Sequence, residues 1–407
     1  MLDRPGIVLA LCTVLASAPA GAAGDPQPAA GSSAPGEDRA LVQVGAPDSS
    51  TGDPGSQVAD ALVEEMSDAG STRAGNDRGE WLVAPIPFKS PLIGAGLKLG
   101  VARLSPTVSD SGQLRMQTTG IGGMYADGGS WALALGDRHY WGASRRWRTT
   151  AGVGTAEARY RLAPDEGLGL LQPAVLQRAE GGILEAAYNV AKYGWIGLGV
   201  RAGRTTIGVQ QIPPELGDIL PSLTYDLFSV EARGEWDTRS DPFFPLGGSL
   251  IKASADLSSS DFGRGSDQFQ RYSLTYNGYK AVGPRSVVAW RVAAEHVAGR
   301  APFFAQAWFG RGADLRGYTP GRFIGSSLIA TQAEWRWQAA GRLGVAVFGG
   351  IGKVGQPLPG FEQAGWLPAG GVGLRWQVTR RNRLNFRVDY GRGRDDETLT
   401  VSVGEAF

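Results

Sequence analysis

The side chains best able to do chemistry lie together in one glycine-rich segment, residues 310–323. It carries three arginines, one aspartate and two aromatic residues. Its glycines argue against a helix, and its irregular pattern argues against a strand. A guanidinium is a fixed fork of donors that fits a carboxylate, so these arginines can fix a loop through ion pairs. We therefore interpret the segment as a long, structured loop held by its charges.

Motifs of known catalytic centres are missing from the sequence. The two histidines, His139 and His296, do not have the spacing of metal ligands. Gly-x-Ser-x-Gly does not occur, and the glycine-rich stretches at 120–123 and 349–352 precede no helix that could cradle a phosphate. The sequence leaves a lipase-like serine–histidine pair open but places none. We predict a protein that is not an enzyme and has no cofactor and no metal.

Composition excludes some partners. The chain has 407 residues, with 40 lysines and arginines against 39 acidic residues. This balance leaves no basic excess to neutralise phosphates, so we expect no nucleic-acid partner. No apolar run reaches the roughly 18 residues of a transmembrane helix. A chain of this length usually forms several soluble domains, but large barrels are an exception.

Residues 1–23 have the pattern of a secretory signal peptide, with Arg4 before an apolar segment at 7–16. A buried N-terminal helix is the alternative interpretation. The only cysteine, Cys12, lies in the apolar segment. Removal of the signal would therefore leave no thiol, which excludes disulfides and suits an oxidising envelope compartment.

Residues 24–80 are rich in alanine, glycine, proline, serine and aspartate. Such a segment has too little apolar surface to offset the entropy of ordering. We predict a flexible leader, disordered or with one short helix at 57–66.

From residue 81 onward, apolar and polar residues alternate in short segments separated by turn residues. Near the end of the chain, apolar residues at 384, 386, 388 and 390 alternate with Asn385, Arg387 and Asp389. This alternation is typical of strands with lipid on one face and water on the other. A soluble β-sandwich is the alternative, although it would not need alternation over so long a stretch.

Fifteen segments show the pattern clearly, and a sixteenth, residues 81–88, is weakened by Pro85 and Pro87. Single-chain bacterial barrels have an even number of strands, and proline is tolerated at an edge. We therefore predict an all-β fold: a transmembrane antiparallel β-barrel of 16 strands, over residues 81–407. Short connections fit the periplasmic side, and the 12 tryptophans suit interfacial girdles.

Leu315, Arg316, Gly317 and Tyr318 resemble the Arg-Gly-Tyr/Phe signature in the sixth extracellular loop of BamA/TamA-like barrels, the bacterial surface antigen superfamily. The resemblance implies that the loop folds into the barrel and that its arginine meets acids on the inner wall. Many members carry periplasmic POTRA modules before the barrel. Residues 24–80 cannot form one, so we predict a member without them.

Other segments resemble the same family. The terminal Phe407 is similar to the C-terminal signal of outer-membrane proteins, which implies the barrel assembly machinery as a partner during biogenesis. The remaining similarities lie in the turn at 237–245 and in strands at 333–336, 371–376 and 387–390.

One position departs from the family pattern. Gly350 stands where an aspartate is usual, which removes one acidic partner for the loop arginine. Glu334 and Asp389 lie on the polar faces of their strands, and we predict that one of them pairs with Arg316. The alternative is that both acids pair only with neighbouring lumen arginines such as Arg375 and Arg387.

Two functions remain open on the sequence. The resemblance implies a barrel in the bacterial outer membrane, surrounded by its lipid, with the leader in the periplasm and a possible polypeptide client to assemble or translocate. A passive pore or small-solute channel with a constricting loop is the alternative.

The leader assignment has a direct test. Proteinase K should remove residues 24–80 from the folded protein in detergent and leave a resistant core that begins near Trp81, because an unpacked segment is cleaved first. Mass spectrometry identifies the core. Protection of the whole segment would contradict the assignment.

Overall fold

The computed structural model describes residues 41–43, 80–90, 94–108, 114–161, 174–210, 222–241, 244–261, 266–310, 314–318, 322–356, 360–377 and 385–407. The predicted signal peptide, the helix at 57–66 and most of the predicted leader lie outside these ranges. No helix within them is long and apolar enough to cross a membrane.

The described residues form a nearly all-β structure. Sixteen long strands follow one another, and three very short strands accompany them. In chain order they are β1 Leu41–Gln43, β2 Glu80–Ser90, β3 Gly94–Val108, β4 Leu114–Ala126, β5 Trp131–Trp141, β6 Trp147–Arg161, β7 Ala174–Ala191, β8 Gly194–Gln210, β9 Leu223–Asp237, β10 Gly247–Asp261, β11 Ser266–Ala281, β12 Ser286–Gly299, β13 Ala307–Trp308, β14 Ile324–Gly325, β15 Ser327–Ala340, β16 Leu343–Gly355, β17 Leu367–Gln377, β18 Asn385–Arg392 and β19 Glu397–Val403.

Each long strand from β2 to β19 pairs antiparallel with the next long strand along the chain. The strand order brings β19 back beside β2, and we call this boundary the seam. This is a 16-stranded antiparallel barrel, which confirms the predicted fold class. The proline-containing segment around residues 81–88 is its first strand, since β2 pairs with β3 over its whole length.

Burial follows the alternation of the sequence. On β15, Gln332, Glu334 and Arg336 are buried, whereas Trp335 and Trp337 between and beyond them are exposed. Successive side chains of a strand point to opposite faces of the sheet. The polar face of β15 therefore points into the lumen and its aromatic face points outward.

The two ends of the barrel differ. The strand ends that the longest connections join lie at one end of the barrel, which we call the loop end; we call the other the turn end. These connections are residues 162–173, 211–222 and 300–326. Six exposed tryptophans lie near the ends of their strands at the turn end, where they form an aromatic girdle. They are Trp81, Trp141, Trp147, Trp236, Trp337 and Trp376.

The seam has two distinctive neighbours. Three residues of the predicted leader form β1, which pairs in parallel with residues 398–400 of β19, next to the seam. The strand β19 is the shortest of the sixteen and pairs with β18 over seven residues. The seam is therefore bounded by a short strand.

Candidate functional site

We call the connection between β12 and β15, residues 300–326, the lumen loop; its described residues enter the barrel at the loop end. It begins with a 3-10 turn at Phe303–Ala305, and β13 and β14 then pair as a small hairpin. The backbone N–H of Phe309 donates to the carbonyl of Phe323 at 2.9 Å and closes the base of the segment between them. This hairpin positions the arginine motif.

The Arg316 side chain is 4% exposed and lies among three wall residues. Its Nη1 donates to Asp389 Oδ2 at 2.7 Å, and its Nη2 forms an ion pair with Glu334 Oε2 at 2.5 Å. Its Nε donates to Gln332 Oε1 at 3.1 Å. The structure thus places the arginine between both candidate acids. Gln332 is a further partner that the sequence pattern did not predict.

The two acids also bind wall arginines. Glu334 pairs with Arg336 and Arg375, and Asp389 pairs with Arg375 and Arg387. Each acid therefore contacts both Arg316 and neighbouring wall arginines. The carboxylate of Glu405 adds a third acid, 3.0 Å from Arg375 Nε and 3.4 Å from Arg336 Nε. We call these residues the charge network: Arg316, Glu334, Arg336, Arg375, Arg387, Asp389 and Glu405.

The geometry explains why glycine occupies position 350. Gly350 faces Gln332 across the β15–β16 ladder. A Cβ added at Gly350 would lie 2.7 Å from Leu315 Cδ1 and would overlap the carbonyl oxygen of Thr331. An aspartate here would displace the loop residue next to Arg316. Gln332 on the facing strand supplies the third contact to the guanidinium instead.

Gly317 and Tyr318 fix the loop to the wall strands next to the seam. Gly317 has φ +108°, which disfavours any side chain, and its N–H donates to Thr398 Oγ1 at 3.1 Å. The fully buried Tyr318 donates its hydroxyl proton to the carbonyl of Pro368 at 2.7 Å and accepts from the N–H of Arg394 at 3.0 Å. The motif therefore touches β17, the β18–β19 connection and β19.

Asp314 is buried in the lumen loop, where its Oδ2 accepts from the N–H of Gly310 at 3.1 Å. Burial raises the pKa of the Asp314 carboxyl to about 7, although the charge of Arg291 and backbone N–H groups act in the opposite direction. The loop thus carries a group that titrates near neutral pH.

An apolar cluster fills the lumen near the loop end. Phe304 and Trp308 of the lumen loop are buried against small and aliphatic wall residues from both halves of the barrel. The ring of Phe304 lies edge-on to that of Tyr225 at 5.4 Å between centroids. Apolar contacts as well as ion pairs therefore hold the loop in the barrel.

A second buried ion network lies on the opposite wall. Arg201 binds Glu231 at 2.5 Å and Asp256 at 2.9 Å. Arg148 and Arg233 share Glu185. No sequence motif marks these residues, although they lie on the polar face of strands with clear alternation.

The described residues contain no group of histidines, aspartates or glutamates that could hold a metal ion. His139 lies against the ring of Trp141 at 4.3 Å, and Nδ1 of His296 bonds with Ser327 Oγ at 2.8 Å.

Comparison with known proteins gives one match to a family model and several similar solved structures. A family model described as the Omp85 superfamily domain matches residues 189–407, more than half of the chain. This stretch includes the lumen loop and the whole charge network. No protein of curated function matches the sequence.

Two solved structures are similar to this fold. BamA from Haemophilus ducreyi lacking POTRA domains 1–3 has a TM-score of 0.55 and 12% identity, with 80% of this chain and 69% of that chain covered. CdiB from Acinetobacter baumannii has a TM-score of 0.50 and 10% identity, with 80% and 57% covered. At these identities the likeness shows the fold alone.

Arg316→Ala should loosen the lumen loop and lower the free energy of unfolding by about 1.5–3 kcal/mol, the usual contribution of a charged hydrogen bond. The rate of chymotrypsin cleavage within residues 310–323 and the urea midpoint measure the effect. Arg322→Ala is the control, because that side chain is 36% exposed and should matter less. Double-mutant cycles that give coupling near zero with both Glu334→Gln and Asp389→Asn would contradict the site.

The raised pKa of Asp314 predicts that the docked loop gains stability as the pH falls. An exposed aspartate has a pKa of about 3.9, so the stabilisation is complete below about pH 4 and is lost as the pH rises through about 7. Protease resistance of the loop should therefore increase from pH 8 to pH 5, by up to about tenfold per pH unit below 7. Asp314→Asn should abolish this dependence; an unchanged profile in that variant would assign it to another group.

Proposed function

Because the chain belongs to the Omp85 superfamily, we propose that it acts on polypeptides in the bacterial outer membrane, either by assembling outer-membrane proteins or by translocating a polypeptide. The observation that carries the proposal is the lumen loop, which is docked through Arg316 onto β15 and β18 and through Gly317 onto β19, the last strand before the seam. The loop therefore occupies the path that a polypeptide would take through the lumen or between the edge strands.

The character of the contacts supports a loop that can leave its site. Arg316 is held by a glutamine, two carboxylates and the face of Phe348, 3.6 Å from its guanidinium carbon to the ring centroid. Charged groups released from such a site regain their hydration, so undocking costs less than the same contacts are worth in a dry medium. A docked loop with polar anchors suits a gate.

The seam supports the same function. The strand β19 has only seven residues at the seam, three of which pair with β1, and β2 carries Pro85, which has no N–H for the ladder. Edge strands with few interstrand bonds can separate and pair with an incoming strand. A polypeptide client would therefore meet an edge that costs little to open.

The passive pore is the competing function. An open channel requires a wet path through the lumen, whereas Phe304 and Trp308 pack with wall residues near the loop end. This cluster favours a barrel that is closed while the loop is docked. A channel function would need the loop to leave in the absence of any polypeptide.

Two measurements on purified protein in liposomes separate the functions. The proposed function predicts low single-channel conductance for the full chain and a large increase after deletion of residues 311–323. It also predicts that an unfolded outer-membrane barrel protein, added from urea, becomes protease-resistant faster than with protein-free liposomes. Steady conductance of the full chain, with no acceleration of insertion, would identify a passive pore.

A further inference from the structure

The segment after the last strand turns into the barrel. The strand β19 ends at Val403, and Gly404 follows with φ +91°. The N–H of Gly404 still donates to the carbonyl of Asn385 at 2.8 Å, but Ala406 and Phe407 are buried beside Tyr279 and Ala289 on β11 and β12. The alternation in the sequence predicts a strand that continues to Phe407. The structure corrects this, because a backbone with positive φ at Gly404 redirects the chain.

Charged and polar contacts hold this segment, residues 404–407, in the lumen. Besides Arg336 and Arg375, the Glu405 carboxylate accepts from Asn385 Nδ2 at 2.6 Å. The main-chain oxygen of Phe407 accepts from Arg336 Nη2 at 3.0 Å, and its ring lies 5.6 Å from the same guanidinium. We call residues 404–407 the inner segment.

The inner segment and the lumen loop share their partners. Arg336 and Arg375 bind Glu405, and both also bind Glu334, the acid that pairs with Arg316. Arg375 additionally binds Asp389, the second partner of Arg316. The loop and the inner segment are thus joined through the two wall arginines.

The balance of charges in the network couples Glu405 to Arg316. Four guanidiniums face three side-chain carboxylates, those of Glu334, Asp389 and Glu405. Removing the charge of Glu405 leaves the four guanidiniums with two side-chain carboxylates, so the wall arginines repel Arg316 more strongly and compete for its acids. Coupling of this kind is reciprocal, so Arg316 also stabilises the inward position of Glu405.

The loop also holds the other end of the same strand. The N–H of Gly317 donates to Thr398 near the start of β19, while the inner segment follows the end of β19. Departure of the loop would break the first contact directly and weaken the second through the network. Both ends of the last strand therefore depend on the docked loop.

We propose that the inner segment is a latch, which couples docking of the lumen loop to retention of β19 at the seam. With the loop docked, Arg316 favours the inward position of Glu405, and β19 is held at both ends. With the loop undocked, the inner segment is released and β19 becomes free to move. The consequence for a client rests on the proposed function; the coupling itself does not.

The first test removes the charge of the inner segment and reads the loop. In detergent-solubilised full chain, Glu405→Gln should speed chymotrypsin cleavage within residues 310–323 at least about fivefold, the lower end of typical coupling. The matched control is Glu397→Gln at the start of β19, because the Glu397 carboxylate accepts from the hydroxyl of Tyr390, outside the charge network. Equal cleavage rates in the two variants would overturn the latch.

The second test reads the reverse direction. In a Cys12→Ser background, Ala406→Cys places a thiol at a position that is 8% exposed. Arg316→Ala should speed its reaction with a maleimide at least about fivefold, whereas Arg322→Ala should not. An unchanged rate with Arg316→Ala would also overturn the proposal.

Folding is monitored separately. A folded barrel migrates differently on a gel before and after boiling, and this shift shows whether a variant folds. If Glu405→Gln does not fold by this criterion, the variant Asn385→Ala is used instead, because it removes one hydrogen bond to the Glu405 carboxylate. Loop cleavage at the rate of the Glu397→Gln control would then count against the latch. None of these measurements uses a client or conductance, so failure of the latch and failure of the proposed function are distinguishable.

Discussion

A buried guanidinium must be neutralised, and this requirement organises the lumen. Arg316 enters a region where an unpaired charge would cost several kcal/mol, about 3–5 by analogy with broken buried pairs. Two acids from β15 and β18 meet it. Those acids then need orientation, which Arg336, Arg375 and Arg387 supply, and the excess of arginines brings in Glu405. Neutralising the single charge of Arg316 thus involves charged residues on β15, β17 and β18 and in the segment after β19.

Small residues give this charge its space. The absence of a side chain at Gly350 leaves room for Leu315. At Gly391 an added Cβ would lie 2.9 Å from the amide nitrogen of Gly317, so a side chain there would collide with the loop backbone. Replacing these glycines would push the loop away before the ion pairs could form. The ion pairs of Arg316 therefore depend on the close backbone contacts that these glycines allow.

Much of this could be predicted from local patterns. Alternation of apolar and polar residues marks strands and their polar faces, so Glu334 and Asp389 were identifiable as lumen acids. Only the family resemblance predicts that they meet Arg316. No local pattern predicts the role of Gln332, because this role depends on facing Gly350 across a ladder, and register is not local information. The inward turn at Gly404 cannot be predicted from local alternation for a related reason. Glu405, which follows it, pairs with arginines on β15 and β17, and those strands are distant from it in sequence.

The strand order has a consequence for how the molecule forms. Every ladder from β2 to β19 joins strands that are neighbours in sequence, so the wall can grow hairpin by hairpin with short loop closures. One partner of Arg316 is different, because Asp389 is 73 positions away along the chain, whereas Gln332 is 16 positions away. The lumen loop therefore reaches its site only after β15 to β18 are in place. We therefore expect the loop to dock late in folding, after the C-terminal wall is complete.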